Sequence, residues 1–228
     1  MTNCASSLSD FDDVAEDYDR WYEKPLGRRY DTIEKEAIQE LLRPPVLGSR
    51  LLEIGCGTGH WSEFFVAEGF RVTGIDLSRR MVQLACTKGI ARASFAVADA
   101  LMLPFKDGAF DLAVGVTALE FVTDPEKAVA EMVRCVRPGG RIIVGVLNRC
   151  SPLGRHRKAE GSPLYRTAHF FSVTELKTLL GQHGPCEVRA VAFMPRSRWL
   201  YWLAPVLEWL GQRLGWSWGD FLVGAIVR

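Results

Sequence analysis

Residues 50–59, RLLEIGCGTG, leave the chain few ways to fold. Leu51, Leu52 and Ile54 predict a short buried strand, and Gly55, Gly57 and Gly59 follow at every second position. Residues 60–68 then predict a helix with Trp61, Phe64 and Phe65 on one face. Strand, glycine turn and helix open a nucleotide-binding α/β unit. Glycine is needed in such a turn because a Cβ would keep a ligand away from the backbone. The helix start offers that ligand unpaired N–H groups.

The pattern alternates on both sides of this unit. Residues 71–75 predict a second strand, and Ser78 can cap a helix to about residue 87 with Met81, Val82 and Ala85 inward. Residues 93–98 and 110–116 predict strands three and four, the third ending at Asp99. Asp124 and Pro125 start a helix whose stripe is Ala128, Val129, Met132, Val133 and Val136. The turn Arg137-Pro138-Gly139-Gly140 precedes strand five at 141–147, an apolar run fit for burial on both faces. Ser172 and Glu175 spell a capping box opening a helix that Gly184 and Pro185 stop. Strands at 186–193 and 221–227 follow. At the other end, residues 1–10 are expected to be disordered, and residues 29–42 predict an amphipathic helix ended by Pro44 and Pro45. Such alternation gives an α/β, Rossmann-like, doubly wound and mostly parallel sheet with helices on both faces.

Composition narrows the class. With 228 residues, 48% hydrophobic, and a net charge of +1, the chain suits one globular domain and argues against specific nucleic-acid binding. The six cysteines show no C-x-x-C pair, so neither a metal site nor a redox motif is expected. No secretion signal or membrane-length apolar run is visible, which makes a cytoplasmic location the expectation.

The glycine spacing is G-x-G-x-G, not the dinucleotide G-x-G-x-x-G. Glu53 stands two places before the first glycine, Asp76 ends the next strand 17 residues after Gly59, and Asp99 ends the third. This ordered set resembles motifs I and II of the class I S-adenosylmethionine-dependent methyltransferases, including small-molecule and quinone-type enzymes. The resemblance implies seven strands in the order 3-2-1-4-5-7-6, strand 7 antiparallel. It also implies S-adenosyl-L-methionine as cofactor, a cationic ligand without phosphate that wants carboxylates at strand ends. On that basis Asp76 holds the ribose hydroxyls, Asp99 approaches the adenine amine and Glu53 supports the methionine end. Gly55, Cys56, Gly57 and Gly59 form the cradle, Leu77 and Leu101 sandwich the adenine, Ala100 offers backbone, and Thr117 borders the site. Other readings stay open from the residues themselves. Asp76 could be a helix-capping acid, Asp99 a turn acid, Glu53 an anchor of the loop, and Cys56 a small apolar filler.

One domain over 1–228 is expected: a helical cap at 11–45, a cofactor-binding core at 46–147, a basic lid loop at 148–171 and a tryptophan-rich insertion at 194–220. The cap begins FDDVAEDYDRWY, whose Phe11, Tyr18, Trp21 and Tyr22 either cover the cofactor, as in similar enzymes, or pack on the sheet's flank. The loop carries Arg149, Arg155, Arg157, Lys158 and Arg166 against Glu160 alone. Methyl transfer to a small-molecule or lipid-like acceptor needs alignment more than a dedicated base. Glu120, where many similar enzymes carry a nearby His, and His169 are the candidate catalytic groups. The insertion holds five of the seven tryptophans, and peripheral membrane contact through 194–220, or a lid over the acceptor, is a candidate role. A catalytically inactive cofactor-binding module and an NAD-dependent oxidoreductase are the alternatives; spacing and Asp99 count against the second.

Overall fold

The structure is a computed structural model and describes residues 11–42, 48–159, 165, 167–195 and 197–228. The expectations for residues 1–10, for the stop at Pro44 and Pro45, and for Glu160, Arg166 and Arg196 lie outside the described residues. The strands are β1 (Arg50–Ile54), β2 (Arg71–Asp76), β3 (Ala93–Val97), β4 (Phe110–Val116), β5 (Val136–Leu147), β6 (Cys186–Val191) and β7 (Phe221–Val227). They form one seven-stranded sheet in the order β3-β2-β1-β4-β5-β7-β6. The first five strands pair in parallel, while β7 runs antiparallel to both β5 and β6.

The helices are α1 (Arg20–Glu23), α2 (Pro25–Leu41), α3 (His60–Ala67), α4 (Arg79–Thr87), α5 (Pro125–Cys135), α6 (Pro152–Ala159), α7 (Val173–Gly181) and α8 (Ala204–Leu214). Alternation along each strand feeds two cores. Leu52, Ile54 and Ala113 pack with Met132 of α5 and Leu176 of α7 on one face. Leu51, Leu112 and Val114 pack with Ile38 of α2 and Trp61 and Phe65 of α3 on the other. The C-terminal ends of β1, β2 and β4 therefore open at the same edge.

Local expectations hold where side chains cap. The Ser78 hydroxyl accepts from the Met81 N–H, Asp124 accepts from the Lys127 N–H, and the Ser172–Glu175 capping box is complete. Several boundaries are corrected. Val136, expected on the helix stripe, opens β5, and α2 starts at Pro25, whose fixed φ suits a first turn. The stretch 148–171, expected to be an aperiodic loop, contains α6. Its start is capped by the Ser151 hydroxyl, which accepts from the Gly154 N–H at 2.8 Å. A helix of eight residues, about two turns, with four polar residues in a row gives no apolar stripe to read. In the tryptophan-rich segment a 3-10 turn (Arg198–Leu203) gives way to α8 with Pro205 in its first turn, the break the proline demands.

Candidate active site

The chain leaves β1 in a loop where Gly55, Gly57 and Gly59 all take positive φ, at 69°, 51° and 84°. A Cβ on Gly57 would enter open space whose nearest neighbour is Tyr18 Cε1 at 3.9 Å. Gly59 serves packing: a Cβ there would sit 3.0 Å from Ile90 Cδ1. Asp76, at the end of β2, fixes the loop. Its Oδ2 accepts the Gly57 N–H and its Oδ1 the Ser78 N–H, each at 2.9 Å. Burial pushes its carboxyl up, against the pull of the Ser78, Gly57 and Leu77 N–H groups. Asp99 accepts the Leu101 N–H at 2.8 Å. Thr117, just past β4, has φ 48°, a strained value for a β-branched residue, held by its N–H donating to Gly145 O at 2.8 Å.

These groups surround a cavity. Of the residues expected at the cofactor, Gly55, Gly57, Asp76, Leu77, Asp99, Ala100, Leu101 and Thr117 line it, and Phe11 and Tyr18 cover it. Among the described residues no Lys, Arg or His lines it, whereas two carboxylates and apolar Leu77, Met81 and Leu101 do. That set fits a cationic ligand with a purine and no phosphate; a pyrophosphate would meet acids without a balancing cation.

Glu53, Cys56 and Gly59 stand apart from the lining. Glu53 is 3% exposed, accepts the Ser62 hydroxyl from α3 beneath the loop, and is pushed up to about 8 by burial. It occupies the anchor position. The Cys56 thiol is buried and pushed up likewise, so it packs rather than reacts. Glu120 is buried, with one carboxylate oxygen accepting the Leu147 N–H at 2.6 Å and the other without a partner among the described residues. Burial raises its carboxyl to about 7. His169 donates its backbone N–H to Glu120 O at 2.7 Å, but its half-exposed ring leans toward Glu175, with Nε2 3.9 Å from Oε1. Neither Glu120 nor His169 lines the cavity.

A second cavity, of about 370 Å³, shares Phe11, Tyr18, Thr117 and Phe121 with the first. Its volume is near the lower end of small-molecule sites, ~300–1,000 Å³. Trp21, Tyr22, Tyr30 and Glu34 come from α1 and α2, Leu153 and Arg157 from α6, Tyr165 follows, and Asp220 precedes β7. Segment 11–22 thus lies over both cavities. It is fastened there by Thr58 donating to Asp19 at 2.5 Å, Lys88 pairing with Asp19 at 2.7 Å, Ser78 donating to Asp12, and Arg80 pairing with Glu16. Tyr22 stacks on His60 with centroids 3.7 Å apart. Tyr30, Glu34 and Asp220 were not singled out from the sequence. They are scattered over nearly two hundred residues, and only an acid on the inward side of a helix marks Glu34.

The insertion presents two faces. Ala204 and Gly211 are buried, the latter against Phe193, and Trp216 and Trp218 pack on that same ring at 5.9 and 4.9 Å. Outward, Trp199 is 89%, Trp202 70% and Trp209 58% exposed, and none of the three lines either cavity.

A family model described as a methyltransferase domain matches residues 52–144. A Thermotoga maritima SAM-dependent methyltransferase superposes with a TM-score of 0.74 at 31% identity, covering 94% of this chain and 96% of that one. An uncharacterized protein of Methanocaldococcus jannaschii is 35% identical over 182 residues, 79% of this chain and 82% of its own length. Demethylmenaquinone methyltransferase of Clavibacter sepedonicus is 35% identical over 136 residues, 59% of this chain, which spans 55% of that enzyme's length. This chain, with its glycine cradle, strand-end carboxylates and seven-stranded sheet, belongs to the class I S-adenosylmethionine-dependent methyltransferases and uses S-adenosylmethionine as its cofactor.

Proposed function

We propose that the first cavity holds S-adenosylmethionine and that the chain methylates a small organic acceptor seated in the second. The single observation that carries this reading is the shared wall: Phe11, Tyr18, Thr117 and Phe121 border both spaces. Asp76 has lone pairs left for the ribose hydroxyls after accepting two backbone N–H groups, and Asp99 stands at the adenine end. The bound cofactor supplies an activated methyl on a sulfonium. The chain's part is alignment for an in-line displacement and exclusion of water by segment 11–22, and such alignment is worth ~7–11 kcal/mol. Calorimetry with S-adenosylhomocysteine, and its release over a panel of acceptors, tests the reading. Tight NAD binding without S-adenosylhomocysteine binding would reverse it. Binding without turnover of any acceptor would point to an inactive module.

The outward tryptophans favour a second, surface role. Trp199, Leu200 and Trp202 on the 3-10 turn and Val206, Trp209 and Leu214 on α8 are all exposed, and Arg213 lies over the Trp209 ring at 5.4 Å. Indole rings with nearby cations settle at the lipid–water interface. No helix of the described residues is long and apolar enough to cross a membrane. We therefore read this face as a peripheral membrane contact, tested by co-sedimentation with vesicles.

A further inference from the structure

The second cavity has a charge pattern that its shape alone does not need. Among the described residues three acids line it, Asp17, Glu34 and Asp220, against one cation, Arg157. Two of the acids are already engaged. Asp220 accepts the Tyr30 hydroxyl at 2.6 Å and the Leu153 N–H at 3.2 Å. Asp17 is largely exposed and pairs with Arg20 at 2.7 Å. Glu34 is different. It faces the cavity from α2, and among the described residues no hydrogen bond or ion pair meets its carboxylate. Arg157, whose charge acts on Glu34 without an ion pair between them, lies over ring faces, 5.0 Å from the Tyr165 centroid and 5.8 Å from Trp21. Those contacts also establish that the cavity's rings can seat a cation.

We propose that the second cavity is a site for a small amine, whose protonated nitrogen binds the Glu34 carboxylate among the rings of Tyr18, Trp21, Tyr22, Tyr30, Phe121 and Tyr165. The chain is then an N-methyltransferase, an assignment that rests on the methyltransferase reading above. An ammonium ion gives the Glu34 carboxylate a partner and gains from the rings, neither of which a neutral phenol or quinol does. Chemistry points the same way. An ammonium has no lone pair, so the nitrogen must first give up a proton, and Glu34 is the acceptor on hand. The N–C bond then forms with the freed lone pair as the S–C bond breaks, its electron pair staying on sulfur. Burial raises Glu34 to about 8, opposed by Arg157 and assisted by Asp31, Glu120 and Asp220, so it holds a proton near neutral pH while no cation pairs with it; a bound ammonium favours the carboxylate, which then takes the nitrogen's proton.

The test uses the full chain and matched acceptors: phenethylamine and tryptamine beside their alcohol isosteres, with simple phenols and quinols as the neutral set. S-adenosylhomocysteine release should be confined to amines. Glu34→Gln, which keeps size and removes charge, should lower amine kcat/KM by ~100-fold or more, while leaving S-adenosylhomocysteine affinity within twofold by calorimetry. Turnover confined to neutral acceptors, no turnover of any amine by a chain that binds S-adenosylhomocysteine, or unchanged amine kcat/KM in Glu34→Gln overturns the amine site. Failure to bind S-adenosylhomocysteine at all would instead remove the reading beneath it.

Discussion

The two cavities share a wall yet are built by different means. The cofactor space is made mainly from backbone and strand ends between residues 54 and 123, with Phe11 and Tyr18 laid over it: a turn of three positive-φ glycines, Asp76 clamped to Gly57 and Ser78, and Asp99 with the residues after β3. The second space is made largely from side chains that separate segments deliver: residues 11–22 with α2, Thr117 and Phe121 after β4, Leu147 at the end of β5, α6, Tyr165, and Asp220 just before β7. A backbone cradle admits few substitutions, because a Cβ in the wrong place removes the ligand's room. A wall of side chains can be repainted without moving the chain. The first arrangement suits a ligand common to a family and the second an acceptor that differs among its members.

The largest effect should come from Gly57→Val. The residue sits at φ 51° with ligand space on its Cβ side. A branched side chain both occupies that space and resists that φ. S-adenosylhomocysteine binding should vanish even at ~100 times the wild-type Kd, with the melting temperature little lowered relative to that loss. Unchanged titration would mean the backbone cradle is not where the cofactor lies.

Asp76→Ala comes next. Loss of its bonds to the ribose should cost ~1.5–3 kcal/mol, or about 10–150-fold in affinity. Because Asp76 also holds the Gly57 and Ser78 N–H groups, stability should fall too. A lower melting temperature with normal affinity would make Asp76 a structural cap alone.

Tyr30→Phe strikes the other space. It deletes the 2.6 Å bond that ties α2 to Asp220, at a cost of ~1.5–2 kcal/mol in stability. The acceptor KM should rise while S-adenosylhomocysteine affinity stays put. If both affinities fall together, the two spaces are not independently built.

Smaller still is the pH effect of Glu53. Burial raises it to about 8, above its value in the unfolded chain of ~4.3. The unfolded state is therefore ionised where the folded state keeps its proton. Glu53 then subtracts from stability progressively as pH rises from ~4.5 to 8 and adds no further change above that. Glu53→Gln should match wild type near pH 5 and be more stable by ~1–2 kcal/mol at pH 8. A constant difference across pH would place the group in its ordinary ionised form.

How far each region could be read from sequence follows the same division. The strand order came from the ordered set of Glu53, the glycines, Asp76 and Asp99 through family resemblance, since periodicity gives strands but not their neighbours. Asp76, Asp99 and the loop glycines were legible because strand ends and obligatory glycines leave fixed spacings. Glu53 carried two compatible readings, an anchor of the loop and a support for the methionine end, and the Ser62 contact from α3 accords with the first. Tyr30, Glu34, Arg157 and Asp220 had no spacing to betray them, because their proximity is created by tertiary packing. α6 was hidden because its charged residues carry no apolar repeat.

The smallest stability effect should belong to the insertion's outer face. Trp199, Trp202 and Trp209 bury little, so replacing all three with serine should change stability by no more than ~0.5 kcal/mol per site. It should also leave both S-adenosylhomocysteine affinity and acceptor choice alone, since none lines a cavity. By contrast, Gly211→Val would drive a side chain into Phe193, whose ring lies 2.5 Å from where a Cβ would stand, and should destabilise the fold. The contrast separates the face that packs from the face that waits for a partner. Wild type should co-sediment with phospholipid vesicles and the triple serine variant should remain in the supernatant. If wild type ignores both anionic and neutral vesicles, the outer tryptophans have no membrane role. If the triple variant instead shifts acceptor choice, the insertion reaches the second cavity and the division between the two spaces is drawn in the wrong place.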